Sequence, residues 1–181
     1  MSATASYEAC LEVSDRVSWK IDDVLGGRQL DFGRVFLPES LARSEELEFL
    51  APGERRLHNQ IRGCGYLATF GLVEEFILPF VVDHARATWG EDGLRRRALV
   101  NFASEEAKHI ELFRRFQALF TDGFGRACPC IGPPEAVAEH VLGQPTLGVA
   151  LMTLHIEWMT LDHYTASVRG DEQLDPMFKD L

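Results

Sequence analysis

The chain is organised around the stretch Ser104-Glu105-Glu106-Ala107-Lys108-His109-Ile110-Glu111-Leu112-Phe113. Glu106 and His109 are three residues apart, and on a helix this spacing places both side chains on one face, about one turn from each other. The other residues on that face are all apolar: Leu99, Phe102, Ala103, Ile110 and Phe113. The carboxylate and the imidazole are therefore predicted to point into a core, where a charge needs a partner and a metal ion is one such partner.

A buried structural ion pair between Glu106 and His109 is the alternative to a metal site. Glu105 belongs to a different stripe of the same helix, which also contains Asn101 and Lys108. Because that stripe is polar, we expect Glu105 to lie at a more solvated edge.

Composition restricts the class of protein. With 181 residues, 46% of them hydrophobic and 25% charged, the chain can bury a sizeable core in a single domain. The formal net charge of −10 argues against nucleic acid or an anionic membrane as a partner. Four scattered cysteines without a signal peptide fit a reducing compartment. No apolar run approaches the roughly 18–20 residues of a membrane span, so we expect a cytoplasmic protein without membrane contact.

Hydrophobic periodicity predicts an all-α fold. Long helical patterns cover residues 54–88, 94–120 and 146–168, a short one covers 134–142, and Asp175-Pro176 begins another. Loops between them are rich in Gly and Pro, and Cys128-Pro129-Cys130 is interpreted as part of such a loop. We predict long antiparallel helices that form a bundle over residues 54–181. Residues 1–53, with short helices expected at 14–24 and 41–50, are predicted to wrap around this bundle without a core of their own.

Each of the three long helices carries an acid on an otherwise apolar face. The first has Glu75 or its neighbour Glu74, the second has Glu106 with His109, and the third has Glu157. Within the first pair we prefer Glu75, because it lies opposite a polar line formed by Asn59, Arg62, Tyr66 and Thr69. An acid in an apolar stripe can also satisfy a buried Arg or Tyr, so a structural role for Glu157 stays open.

Three ligand-bearing helices of this kind resemble the ferritin-like di-iron carboxylate superfamily, whose members take Glu residues and Glu-x-x-His pairs from four helices. Val73-Glu74-Glu75-Phe76 is similar to the first ligand helix, Glu105-Glu106-Ala107-Lys108-His109 to the second, and Ile156-Glu157-Trp158 to the third. The resemblance covers residues 54–168. It implies a ferritin-like bundle in which Glu75, Glu106, His109 and Glu157 bind two iron ions, with manganese as the alternative, and no catalytic group beyond these ligands.

One departure from the family pattern is that this sequence has a single Glu-x-x-His motif. The missing pair should lie on the helix that Asp175-Pro176 begins. We therefore expect the chain to be truncated before its fourth ligand helix, or to receive that helix from elsewhere. An exposed bundle face favours association, with a homodimer as the simplest outcome.

The resemblance implies a non-haem di-iron oxidoreductase, an oxygenase that uses dioxygen on a small organic substrate. No motif identifies the substrate or the electron donor. Two alternatives remain: an iron-handling ferroxidase or storage protein, and a metal-free ferritin-like module with a structural or interaction role.

Overall fold

The computed structural model describes residues 3–90, 93–128 and 132–181 and is built from helices. The helices are α1 (Ala3–Arg16), α2 (Ile21–Leu25), α3 (Glu39–Ala42), α4 (Pro52–Arg86), α5 (Gly93–Phe124), α6 (Pro134–Leu142), α7 (Thr146–His163), a π-helical turn (Tyr164–Val168) and α8 (Pro176–Lys179). No strand occurs in these ranges, where the only bridge of β type joins Val35 and Leu174. The prediction of an all-α bundle is confirmed. Pro129 and Cys130 lie outside the described residues, so the loop interpretation stays a prediction there.

The two longest helices, α4 and α5, form the centre of the bundle. Gly71 lies against Phe113 and Glu74 lies against His109, so residue numbers fall along one helix as they rise along the other. The pair is therefore antiparallel. A methyl group at Gly71 would be 3.3 Å from the Cβ of Phe113, so the glycine allows the two helices to approach closely just before the glutamate.

The N-terminal segment shares its core with the bundle. One apolar cluster joins residues of α2, of the following loop, of α4, α5 and α8, and its fully buried members include Phe36, Phe116 and Phe120. Phe36 stacks on Phe178 with ring centroids 5.4 Å apart. The buried apolar side chains of the described part of this segment therefore belong to the same core as helices that come later in the chain. Burial of each such side chain is worth roughly 1.5–3 kcal/mol.

A buried amide of α4 fixes the same segment in place. The side-chain oxygen of Asn59 accepts hydrogen bonds from the backbone N–H groups of Phe36 (2.8 Å) and Leu37 (3.0 Å), and its NH₂ donates to the Leu37 carbonyl (2.8 Å). Asn59 is 2% exposed. Asn59, a member of the polar line predicted on this helix, therefore lies inside the protein, where its polar atoms pair with backbone.

Two short helices differ from the sequence prediction. A helix over 14–24 is wrong, because α1 ends at Arg16 and α2 begins at Ile21. The carboxylate of Asp23 accepts a hydrogen bond from the Lys20 N–H, which makes a new helix start. The helix over 41–50 is also wrong, since α3 ends at Ala42 and the next residue, Arg43, adopts the left-handed conformation with φ of 52°.

Helix α4 is long and apolar, which concerns the expectation that no apolar run is long enough to span a membrane. An 18-residue window of this 35-residue helix has a mean hydropathy of 1.5, so by length and composition α4 could cross a membrane. Of that window, 39% is buried inside the protein. The central helix of a bundle meets the same criterion, so the expectation of no membrane contact stays a prediction.

Candidate metal centre

Three side chains from α4 and α5 meet where the helices pack. Glu74 comes from α4, and Glu106 and His109 come from neighbouring turns of α5. His109 Nδ1 lies 3.3 Å from Glu74 Oε1 and 3.5 Å from Glu106 Oε2. One ligand atom from each residue can be chosen so that all three lie within 4.8 Å of one another, and this group could hold a metal ion.

The two carboxylates are buried and incompletely paired. Glu74 is 7% exposed and Glu106 is 2% exposed. Among the described residues, neither Glu74 Oε2 nor Glu106 Oε2 has a hydrogen-bond partner. A buried polar atom without a partner costs about 1–3 kcal/mol, and a cation in contact with both oxygens would remove that cost. The residues present therefore fit a divalent metal.

The three groups of the cluster have pKa values that are shifted in different directions or by different amounts. Burial raises the pKa of Glu74 to about 8, and the adjacent carboxylate of Glu106 adds to the rise. Burial also acts to raise the pKa of Glu106, but its interactions with His109 and Glu74 outweigh it and hold this pKa below its usual value. Burial acts to lower the pKa of His109, but its contacts with both carboxylates raise it to about 10. At neutral pH the cluster thus holds one neutral acid, one carboxylate and one imidazolium, with no net charge.

The structure corrects the choice between the two acids of α4. Glu74, and not Glu75, lies beside Glu106 and His109. Glu75 Oε1 instead accepts a hydrogen bond from Arg114 at 2.8 Å, where 37% of the Glu75 side chain is exposed. One sequence signal could have identified Glu74 as the buried acid. Leu67, Ile77 and Val81 lie 7, 3 and 7 residues from Glu74, so they share its helix face, and all three are buried.

Glu157 is near the cluster without being part of it. It lines the same cavity as Glu74 and His109, but it is exposed and outside the three-residue group. Partial burial and the negative charge of Glu106 raise its pKa. The structure therefore brings together two of the four predicted ligands, Glu106 and His109, and the role of Glu157 stays a prediction.

Glu74 and His109 of the cluster line a largely apolar cavity of about 570 Å³ between α4, α5 and α7. Aromatic side chains make up much of its wall: Trp19, Tyr66, Phe70, Phe113, Tyr164 and Phe178. The Tyr66 hydroxyl is hydrogen-bonded to His163 Nδ1 at 2.7 Å, which fixes the phenol ring within the wall. Cavities of this size and character accommodate small organic molecules.

Sequence reasoning missed Trp19, which stacks on His109 with ring centroids 5.7 Å apart and an angle of 18° between the planes. Trp19 lies between α1 and α2, 86 residues before Glu105, to which its indole N–H is bonded. Helical spacing within α5 contains no signal for a residue so distant in the chain.

Two carboxylates and one imidazole form a ligand set suited to iron, manganese or zinc. Three protein ligands leave coordination positions for water or substrate, as catalytic sites require. No family model matches this chain, and neither the curated proteins nor the solved structures include a significant match to it. The likeness to ferritin-like proteins therefore rests on the sequence motifs alone.

Proposed function

We propose that this chain binds a redox-active transition metal at Glu74, Glu106 and His109 and that it is a non-haem iron oxidoreductase acting with dioxygen on a small organic substrate. One observation carries the proposal: two buried carboxylates, each with an oxygen that has no hydrogen-bond partner among the described residues, lie beside one imidazole, and Glu74 and His109 of this group line a largely apolar cavity. Iron is the metal that fits this chemistry best, and manganese is the alternative. Once bound, iron supplies the electron transfer to dioxygen that side chains alone cannot supply.

The side chains have separate roles in this proposal. Glu106 is already ionised and offers a carboxylate without further change, whereas Glu74 and His109 must each release a proton before they can bind a metal. Phe70 and Phe113 line the apolar wall, where they exclude water and hold an organic substrate against the cluster.

A two-metal centre would need more ligands than the three residues in contact. Glu157 lies on the wall of the same cavity and is the ligand that we assign to a second ion. Buried structural pairing without metal is the competing explanation, because the protonated cluster is already neutral. The two oxygens that have no hydrogen-bond partner among the described residues favour the metal, since buried polar atoms are generally hydrogen-bonded.

The test is metal content in matched variants of the full chain. Purified protein is incubated with Fe²⁺ without oxygen, separated from free metal by gel filtration, and analysed by mass spectrometry. We expect at least one iron per chain, a loss of most of it in Glu74→Gln, and retention in Glu75→Gln, because Glu75 pairs with Arg114 outside the cluster. Oxygen consumption on addition of air should follow metal content.

Less than one metal per folded wild-type chain would refute the metal site and leave Glu74 and Glu106 as structural acids. Equal metal content in the two variants would place the bound metal elsewhere. Full loading without oxygen consumption would remove the oxidoreductase part of the proposal alone.

A further inference from the structure

Trp19 covers one face of the His109 ring at the edge of the candidate centre. We infer that Trp19 is a positioning residue that holds the His109 imidazole in its metal-binding orientation, and that Glu105 and Lys108 hold Trp19. This inference rests on the proposed metal site and assigns a role to three residues outside the ligand set.

The stack fixes an otherwise soft torsion. The last torsion of a histidine side chain is broad and roughly two-fold, so the imidazole alone has little preference for one ring orientation. Ligand histidines usually obtain that preference by donating a hydrogen bond through the second ring nitrogen. Among the described residues, no acceptor is hydrogen-bonded to His109 Nε2, and both carboxylate contacts are made by Nδ1. The indole face therefore adds to the two carboxylate contacts at Nδ1 in limiting rotation of the ring.

Trp19 is itself held at two points, its indole and its backbone carbonyl. Its Nε1–H donates to Glu105 Oε2 at 3.0 Å, and Lys108 Nζ donates to the Trp19 carbonyl at 3.3 Å. Lys108 Nζ also lies 2.8 Å from the same oxygen of Glu105 and 4.7 Å from the centroid of the indole ring. The Glu105 and Lys108 side chains are only 28% and 27% exposed, so solvent screens these contacts less than it would at an open surface.

Glu105 and Lys108, which hold Trp19, have the same spacing along α5 as the proposed ligands Glu106 and His109. Glu105 and Lys108 are three residues apart, and each immediately precedes a residue of the Glu106/His109 pair. One turn of α5 therefore presents metal ligands on one face and, about 100° around the helix, the two groups that secure Trp19. Sequence periodicity predicted that the stripe of α5 containing Glu105 and Lys108 forms a solvated edge. In the structure, Trp19 packs against this stripe.

The experiment measures Co²⁺ binding to the full chain through ligand-field absorption, with Trp19→Ala, Trp19→Phe and a matched control, Trp89→Ala. Trp89 is 78% exposed and makes no contact with the cluster among the described residues. We expect Trp19→Ala to bind Co²⁺ about 10- to 100-fold more weakly, the usual effect of losing a residue that orients a ligand. Its absorption bands should also change, because the imidazole no longer has one orientation. Trp19→Phe should restore most of the affinity, since a phenyl ring keeps the stack, and Trp89→Ala should match wild type.

Stability of the metal-free proteins, followed by circular dichroism, separates positioning from folding. A residue with a merely structural role would lower the melting temperature without changing the affinity or the spectrum of the folded fraction, and that result for Trp19→Ala would overturn the inference. If Trp19→Ala does not fold, Glu105→Ala releases the indole while leaving the stack residues in place. Wild-type affinity and spectrum in Glu105→Ala would then overturn it.

Failure of the metal site itself would be recognised before any variant is compared, because wild-type protein would then show no Co²⁺ absorption bands. Wild-type binding together with an unaffected Trp19→Ala variant would refute only the role of Trp19.

Discussion

Metal binding at the cluster should release about two protons per ion at pH 7. With pKa values of about 8 for Glu74 and about 10 for His109, the metal-free groups carry roughly 0.9 and 1.0 protons at this pH. Glu106 carries none, because its pKa is lowered. Coordination requires both carboxylates ionised and the imidazole neutral, so nearly all of these protons must leave.

The sign of the pH dependence follows from this competition. Protons and metal occupy the same atoms, so the apparent affinity rises with pH. Below pH 8 the metal displaces two protons, so its apparent affinity should rise roughly 100-fold per pH unit. Between pH 8 and 10 only the proton of His109 remains to be displaced, so the apparent affinity should rise about tenfold per pH unit.

Isothermal titration calorimetry with Co²⁺ in buffers of different ionisation enthalpy counts the protons directly. The apparent binding enthalpy plotted against buffer ionisation enthalpy should have a slope of about two protons per ion. Glu74→Gln, if it retains measurable binding, should reduce the slope to about one, whereas Glu75→Gln should leave it unchanged. A slope near zero in wild-type protein that does bind Co²⁺ would refute the assignment of the metal to this cluster.

Two further predictions concern the fold that supports the site. Gly63→Ala should destabilise the protein by about 1–3 kcal/mol, because the new methyl group would lie 2.7 Å from Phe36 Cβ. Gly65→Ala should stabilise it by up to about 1 kcal/mol, because no described atom beyond the neighbouring turns of its own helix would lie within 4 Å of the methyl group. Equal urea midpoints for the two variants would refute the close packing at Gly63. Asn59→Ala should cost about 3 kcal/mol or more, since it leaves three buried backbone groups without partners. Denaturant unfolding with Asn101→Ala as a control, which loses a single bond to Ser14, should show a cost of about 1 kcal/mol or less there.

Local periodicity was sufficient for the long helices and for the ligand pair of α5. Predicted bounds of 54–88 and 94–120 compare with Pro52–Arg86 and Gly93–Phe124 in the structure. Helical spacing alone places Glu106 and His109 on one face, because three residues span nearly one turn. The same reasoning failed for 14–24, where hydrogen bonding by Asp23 starts a new helix inside a continuous pattern.

The choice between Glu74 and Glu75 illustrates why periodicity has limited resolution. Adjacent residues differ by about 100° on a helix, and α4 has small or apolar residues around much of its circumference. Periodicity placed Asn59 on a polar line of the same helix but contained no information about the backbone groups with which it pairs. Which of two adjacent acids is buried depends on where α5 packs, and that position depends on contacts such as Gly71 with Phe113.

The sequence by itself determined the helical class, the two central helices and the shared face of Glu106 and His109, because each depends on residues within a few turns of one another. Only the tertiary structure selected Glu74 as their partner, left Glu157 at the cavity wall, and placed Trp19 against the imidazole. These three outcomes depend on packing between segments that are far apart in the chain, and helical periodicity contains no information about the rotation of one helix relative to another.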